Sequence, residues 1–263
     1  PLFDVLTGYE VMSALFRRIL DLSVLENSSN IDIAKVTYEA NIGNRDEATK
    51  IMRVVLSMAG ESHNIMYNKS IAWNALQMHK RAVECLSDLA EARPDDHKIL
   101  IQLGHSLGNL GSRDKEIKCY TRILQLRPDD VIALANMCIT MADLGRKAEA
   151  DSYLEKIQTV KLESPIDFFY KGTALGTLKR HKEALECFEE ALGMRPGDPG
   201  MLFSKGAALV RMERYEKALD CFDAVLEAWH GNQDALLAKA SILKNLGRHK
   251  ESAECNRLAK SWD

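Results

Sequence analysis

The sequence predicts an all-α fold, a solenoid of stacked helix–turn–helix units of 34 residues each. Three periodic arrays support this prediction. Pro94, Pro128 and Pro196 are separated by 34 and 68 residues. Glycines and alanines repeat with the same period in registers of their own: Gly43, Gly111, Gly145 and Gly247; Ala14, Ala48, Ala82, Ala150, Ala184 and Ala218. A shared period of this length is typical of repeat proteins.

Within one period, apolar residues recur at three- and four-residue steps, which predicts two amphipathic helices. The segment 165–198 shows the pattern best, with Phe168 and Leu175 in the first helix and Ala184 and Phe188 in the second. A polar break at 179–181 separates the two helices, and other units have a glycine there. Three second helices end at an Arg-Pro pair, which contains Pro94, Pro128 or Pro196, because proline donates no N–H group.

The predicted helix starts are equally regular. Seven residues that favour the N-cap position stand 34 residues apart: Ser28, Ser62, Asp96, Asp130, Ser164, Asp198 and Asn232. They divide the chain into about seven units: 29–62, 63–96, 97–130, 131–164, 165–198, 199–232 and 233–263. Residues 1–28 are expected to be an N-terminal capping helix or a partial repeat, and the chain is expected to be a piece of a longer protein.

The unit resembles the tetratricopeptide repeat. The residues that carry the resemblance stand where that motif has a large, a small, an aliphatic, a small, an aromatic and a proline residue: Phe168, Gly172, Leu175, Ala184, Phe188 and Pro196. Other positions depart from the motif: Lys35, Lys69, Lys171, Lys205 and Lys239 replace leucine, Glu116 replaces alanine, and Leu162 and His230 replace proline. The resemblance implies a right-handed superhelix whose first helices line a concave surface.

Composition excludes several functions. With 35 Lys+Arg against 38 Asp+Glu, the formal charge of −3 offers no attraction to nucleic acid or to an anionic membrane. No apolar run approaches the roughly 18 residues that span a bilayer. Metal-protease, dinucleotide, phosphate-loop and acyl-enzyme motifs are missing from the sequence, so we expect no catalytic residue, no metal and no cofactor.

The six cysteines do not suggest disulfides. Five of them occupy one position of the second helix: Cys85, Cys119, Cys187, Cys221 and Cys255. Equivalent atoms in neighbouring units lie about 8–10 Å or more apart, which is beyond the reach of an S–S bond. Periodic unpaired thiols favour a reducing compartment, and we therefore expect a cytoplasmic protein.

The resemblance also implies where a partner would bind. In such proteins the first helices cradle an extended peptide or a partner's helix, and Phe169 and Phe203 are expected to be exposed anchors of that groove. Carried over by position, the partner-binding residues are Tyr67, Asn68, Ile71, Ile101, Gln102, His105, Asn136, Ile139, Phe169, Tyr170, Thr173, Phe203, Ser204 and Leu237. For each residue the alternative is that the side chain completes packing between units.

The function predicted from these features is a non-catalytic protein–protein interaction scaffold. Two alternatives stay open: a homo-oligomerising assembly module, or a repeat arm that positions substrates for a larger enzyme. The acidic C-terminus of chaperones is not an expected partner. The carboxylate clamp that holds it needs five cationic and amide residues, and only Asn68 and Lys98 match that set.

Overall fold

The computed structural model describes residues 35–40, 44–57 and 63–260, and these residues form helices and short connections without a strand. Residues 35–40 are helical (α1). The following helices are α2 Arg45–Ser57, α3 His63–Ala75, α4 His79–Ala92, α5 His97–Asn109, α6 Arg113–Leu126, α7 Val131–Asp143, α8 Lys147–Thr159, α9 Pro165–Thr177, α10 His181–Met194, α11 Pro199–Arg211, α12 Tyr215–Ala228, α13 Gln233–Asn245 and α14 His249–Lys260. The predicted N-terminal helix or partial repeat at 1–28 lies outside the described residues.

The helices alternate in register. The odd-numbered helices from α3 to α13, called first helices below, begin every 34 residues, and so do the even-numbered second helices from α2 to α14. The side chains of five predicted N-cap residues accept hydrogen bonds from the first turn of the helix that follows: Asp96, Asp130, Ser164, Asp198 and Asn232. The N-cap prediction is confirmed at these five positions, and the all-α solenoid is confirmed with it.

Three first helices, α5, α9 and α11, cross the following second helix closely because a glycine lies at the crossing. A Cβ atom built on Gly172 would stand 2.7 Å from Cε1 of Phe188, and one on Gly206 would stand 3.0 Å from Cζ of Phe222. The aromatic ring of the second helix therefore fills the space that the glycine leaves open.

Continuous apolar packing runs along the stack. The largest buried side chains come from both kinds of helix, among them Leu134 and Leu175 of first helices and Leu154 and Phe222 of second helices.

All six cysteines are free, and five of them are buried. Two of the repeated lysines reach carboxylates of the preceding second helix: Lys205 Nζ lies 3.2 Å from Glu189 Oε1, and Lys239 pairs with Asp223. None of the described helices is long and apolar enough to cross a membrane.

One junction departs from the regular stack. Among the helices that precede it, α9 packs mainly against α7 and only slightly against α8. In contrast, α5 and α11 pack closely against the second helices that precede them. The connection explains the difference. Helix α8 ends at Thr159 and is followed by Val160 in an extended conformation, with ψ 136°, whereas the residues after α6 and α10, Arg127 and Arg195, have ψ 86° and 79°. The extended connection carries α9 past α8 towards α7.

Candidate binding groove

The first helices form the inner side of the stack. Along the chain, α3 contacts α5, α5 contacts α7, α7 contacts α9, and α9 contacts α11. Side chains on this side come together across intervening helices, as the contact between His105 of α5 and Tyr170 of α9 shows. Side chains two first helices apart can meet only on a concave surface. This concave surface is called the groove below.

The groove is bridged near its middle. The rings of His105 and Tyr170 are stacked, with centroids 6.2 Å apart and an angle of 18° between their planes. They belong to α5 and α9, so the stack passes over α7. Helix α9 packs against α7 instead of α8, and this position brings Tyr170 towards α5. The contact between His105 and Tyr170 results from it. Both residues were predicted to bind a partner, and in the structure they bind each other across the groove.

The His105–Tyr170 stack covers Asn136, which is 8% exposed. The Asn136 amide nitrogen donates to the Ile132 carbonyl at 2.8 Å, so its Oδ1 is the atom that faces His105 Nε2 at 3.2 Å. Burial lowers the pKa of His105, against opposing contributions from the Asn136 hydrogen bond and the Glu116 carboxylate. The neutral ring therefore carries its proton on Nε2 and presents Nδ1 as an acceptor.

Beneath the stack lies a second polar layer contributed by α6. The Tyr120 ring meets His105 edge to face at 6.4 Å, and its fully buried hydroxyl has no hydrogen-bond partner within the described part of the chain. Glu116 is also buried, where it accepts from Arg113 Nη1 at 2.8 Å and from Thr140 Oγ1 at 2.9 Å. The departure from alanine at Glu116 thus forms a buried ion pair at the junction of α6 and α7.

The two predicted aromatic anchors are partly structural. Phe169 lies 6.0 Å from the core ring of Phe188, and Phe203 lies 5.4 Å from Phe222. Both side chains are half-buried. One edge of each ring faces the groove, and the opposite edge packs against the core. Replacing them would lower stability as well as remove a contact surface, which makes them poor probes of binding alone.

The remaining predicted residues divide by exposure. Ile101 is 7% exposed and belongs to the core, so its assignment to the groove is corrected: it turns towards the packed layer. Leu237 is 45% exposed and fully available. The other predicted residues are half-buried on first helices: Tyr67, Asn68, Ile71, Gln102, Ile139, Thr173 and Ser204. Burial raises the pKa of Tyr67 to about 12, with a smaller contribution from Asp96.

Ile166 was not among the predicted groove residues. It is 38% exposed and stands four residues before Tyr170 on the same face of α9. Gly200 and Ala207 of α11 were not predicted either, and they share a face with Phe203 at three- and four-residue steps. The 34-residue register could have found Ala207, because it follows Thr173 by one period. Among the described residues, no group of three or more His, Cys, Asp or Glu side chains has a geometry suited to a metal ion.

Comparison with known families agrees with this architecture. Tetratricopeptide-repeat profiles match residues 97–130 and 169–198 and, separately, residues 203–263. These three segments belong to the tetratricopeptide repeat family. The stretch between the two shorter matches contains α7, α8 and the irregular connection to α9, where the stack departs from its usual geometry.

Solved structures share the fold. A tetratricopeptide repeat protein from Parabacteroides merdae has a TM-score of 0.56 at 14% identity, over 90% of this chain and 94% of that one. Human IFIT1 has a TM-score of 0.66 at 16% identity, over 94% of this chain and 71% of its own. The pilus biogenesis factor PilW has a TM-score of 0.54 at 18% identity, over 75% and 91%. These likenesses concern the fold alone. Curated protein sequences contain no match to this chain.

Proposed function

We propose that this protein is a non-catalytic scaffold that binds a segment of another protein in its groove. The observation that carries the proposal is the exposure of large apolar side chains on the concave face, Ile166 at 38% and Leu237 at 45%. Both lie on first helices in the half of the groove that the His105–Tyr170 stack leaves uncovered. Apolar side chains left in water on a concave surface are typical of protein-binding sites.

The chemistry of the site favours binding over catalysis. The titratable groups nearest the centre of the groove are committed to internal contacts: His105 to Asn136 and Tyr170, and Glu116 to Arg113 and Thr140. Burial raises the pKa of the Cys119 and Cys138 thiols to about 11, which leaves few thiolates at neutral pH. An open surface with apolar anchors is therefore the feature that a partner would recognise.

Affinity capture from native lysate tests the proposal. The bait with Ile166→Glu and Leu237→Glu is compared with wild type and with a matched control, Leu144→Glu and Leu258→Glu, whose leucines are 43% and 37% exposed outside the groove. Proteins captured by wild type and by the control should be lost from the groove variant, while circular dichroism and melting temperature stay unchanged. Equal capture by all three baits would refute groove binding. Light scattering across concentrations would then identify self-association if the chain itself is the partner.

A further inference from the structure

The turns that join first to second helices lie along one edge of the stack. The two helices of a unit pack against each other as a hairpin, so each second helix returns towards the start of its first helix. All of these turns therefore lie on the same edge, and the connections between units lie on the opposite edge. The six turns, called the turn edge below, are residues 75–81, 109–115, 143–149, 177–183, 211–217 and 245–251.

The turn edge is strongly basic. It contains fourteen lysine and arginine residues against seven aspartate and glutamate residues, whereas the whole chain has 35 against 38. Three of these carboxylates bind an arginine of their own turn, as Glu183 binds Arg180, and Asp143 binds Arg113 of the neighbouring turn. Ten cations and three carboxylates remain outside these pairs. Several of the ten are exposed, among them Lys179, Lys182 and Arg214.

Apolar side chains project from the same edge. The second residue of every turn is leucine or methionine: Leu76, Leu110, Leu144, Leu178, Met212 and Leu246. Leu110 and Leu144 are 44% and 43% exposed, Leu246 is exposed as well, and of the six only Leu76 is buried. Successive turns thus present apolar tips between their cations.

Carboxylates that balance this charge are concentrated on the outer faces of α10 and α12, where Glu186, Glu190, Asp220 and Glu227 are exposed. Glu186 and Asp220 lie nearest to the turn edge, each five residues beyond the first residue of its helix, or about 8 Å at 1.5 Å per residue. This distance is about one Debye length at physiological ionic strength, so the edge cations dominate the field at a surface that touches the edge. The formal charge of −3, which predicts no attraction to an anionic membrane, averages over the two regions.

We infer that the turn edge docks on the surface of an anionic lipid bilayer. Cations at the level of the headgroups attract anionic lipid, and apolar tips that enter the interface are stabilised by leaving water. A line of short turns projects from the molecule and so cannot enclose a polypeptide segment, whereas a bilayer is flat and deformable. A nucleic acid would use the cations but would leave the leucine tips opposite phosphate groups. The groove stays open in this orientation, so the inference does not depend on the proposed function.

The opposite edge has similar apolar exposure without the basic charge. There Leu126 and Met194 are 46% and 50% exposed. The connections between units hold five lysine and arginine residues against seven carboxylates, counted over residues 92–98, 126–132, 160–166, 194–200 and 228–234. Of the two edges, only the turn edge combines apolar tips with an excess of cations, and the opposite edge supplies matched control positions.

Co-sedimentation of the full chain with lipid vesicles tests this inference. Vesicles of phosphatidylcholine alone are compared with vesicles in which about a third of the lipid is phosphatidylserine. We expect the partition coefficient to be at least about tenfold higher on the anionic vesicles, and to fall to the neutral value at about 1 M salt, where the Debye length is about 3 Å. Equal partition onto both kinds of vesicle, or onto neither, would overturn the inference.

Two variants remove the two features of the edge separately. Lys179→Glu with Lys182→Glu reverses two exposed charges and should weaken partition onto anionic vesicles at least about tenfold. Leu110→Ser with Leu144→Ser removes two neighbouring apolar tips and should weaken it at least about threefold.

The matched control is Leu126→Ser with Met194→Ser on the opposite edge, which should change partition by less than about 1.5-fold. Circular dichroism and melting temperature should equal those of wild type in all three variants, because every replaced side chain is exposed. Turn-edge variants that bind like wild type, or a control that loses binding as they do, would overturn the assignment of the edge.

Fluorescence anisotropy with a duplex DNA oligonucleotide distinguishes a bilayer from a nucleic acid. Vesicle partition that falls in both turn-edge variants supports the bilayer. DNA binding that is abolished by the lysine variant and unchanged in the leucine variant, together with vesicle partition that the leucine variant leaves unchanged, would replace the bilayer with a nucleic acid.

Discussion

The side chain of Glu116 fills the space beside Gly108, where a Cβ atom would stand 2.7 Å from the carboxylate Oε1. In the register of Glu116, five other second helices have alanine and α14 has Ser252. The register of Gly108 holds Asn74, Ala142, Gly176, Val210 and Lys244. The larger residue on α6 is therefore accommodated by the absence of one on α5. Its carboxylate is held in place by Arg113 and Thr140, so it cannot move aside freely.

The first prediction is a coupling between these two positions. Gly108→Ala should lower the free energy of unfolding by about 1–2 kcal/mol, because overpacking costs more than the helix propensity gained. In the Glu116→Ala background the same change should instead raise it by up to about 1 kcal/mol. Urea denaturation of all four proteins measures the coupling. Gly176→Ala is the matched control, since its nearest neighbour is the Ala184 Cβ at 3.9 Å. Equal effects in both backgrounds would show that the two side chains do not compete for space.

A second prediction concerns the turns that follow first helices. Gly111, Gly145 and Gly247 have φ of 70–75°, and Gln77, Lys179 and Glu213 in the same register have φ of 58–62°. A side chain in this left-handed region costs about 1–2 kcal/mol relative to glycine, partly offset by the entropy that glycine adds to the unfolded chain. Lys179→Gly should therefore stabilise the protein by about 0.5–1 kcal/mol.

Urea denaturation measures this effect too. Glu186→Gly, at an exposed position inside α10, is the control and should destabilise by about 1 kcal/mol. Loss of stability in Lys179→Gly would mean that its side chain contributes more than its backbone conformation costs.

The sequence carried most of the information about the fold because helix starts, stops and crossings depend on local residues. The caps at Asp96 and Asp198 and the close crossings at Gly172 and Gly206 are short-range features, and a 34-residue period repeats them. The packing of α9 against α7, instead of against α8, was not predictable in the same way. It depends on the conformation of Val160, which the sequence does not indicate: His230 replaces proline as Leu162 does, yet Trp229 before it has ψ 77°.

The groove was predicted less completely, since position on a helix face does not determine what a side chain touches. His105 and Tyr170 were assigned to one surface, but their mutual contact results from the displaced α9. Ile101 shares that surface by register and is nevertheless buried in the core. Ile166 was not predicted because it directly follows Pro165 in the first turn of α9, where the sequence pattern indicates a helix start. Such contacts depend on the curvature of the stack, which adds up over several helix pairs.

A third prediction follows from the Tyr120 hydroxyl, which is buried without a partner among the described residues. Burying a hydroxyl without a hydrogen bond costs about 1–3 kcal/mol. Phe188 and Phe222 stand in the same register, so a phenylalanine fits this position of the repeat. Tyr120→Phe should raise the free energy of unfolding by about 1 kcal/mol, as measured by urea denaturation. Tyr153→Phe, on a half-buried ring, should change it little. A destabilised Tyr120→Phe would indicate that the hydroxyl has a partner in solution.

The last prediction is a dependence of stability on pH that originates at His105. Burial lowers its pKa in the folded protein, whereas the unfolded chain should titrate near 6.5. The groups that face it are Asn136 of α7, Glu116 and Tyr120 of α6, and Tyr170 of α9. Its contribution to stability is therefore complete above about pH 6.5 and is lost as the pH falls through the lowered native pKa, because the unfolded chain binds the proton first.

The difference in slope between wild type and His105→Phe isolates this contribution. His105→Phe keeps a ring against Tyr170 and removes the titration. Over the acid range the free energy of unfolding of wild type should fall more steeply, by at most about 1.4 kcal/mol per pH unit for one proton. Nuclear magnetic resonance of the His105 imidazole should give a titration midpoint below 6.5 in the folded protein. Parallel slopes together with a midpoint near 6.5 would mean that the ring is solvated and that the stack over α7 opens in solution, which would extend the accessible groove to α5.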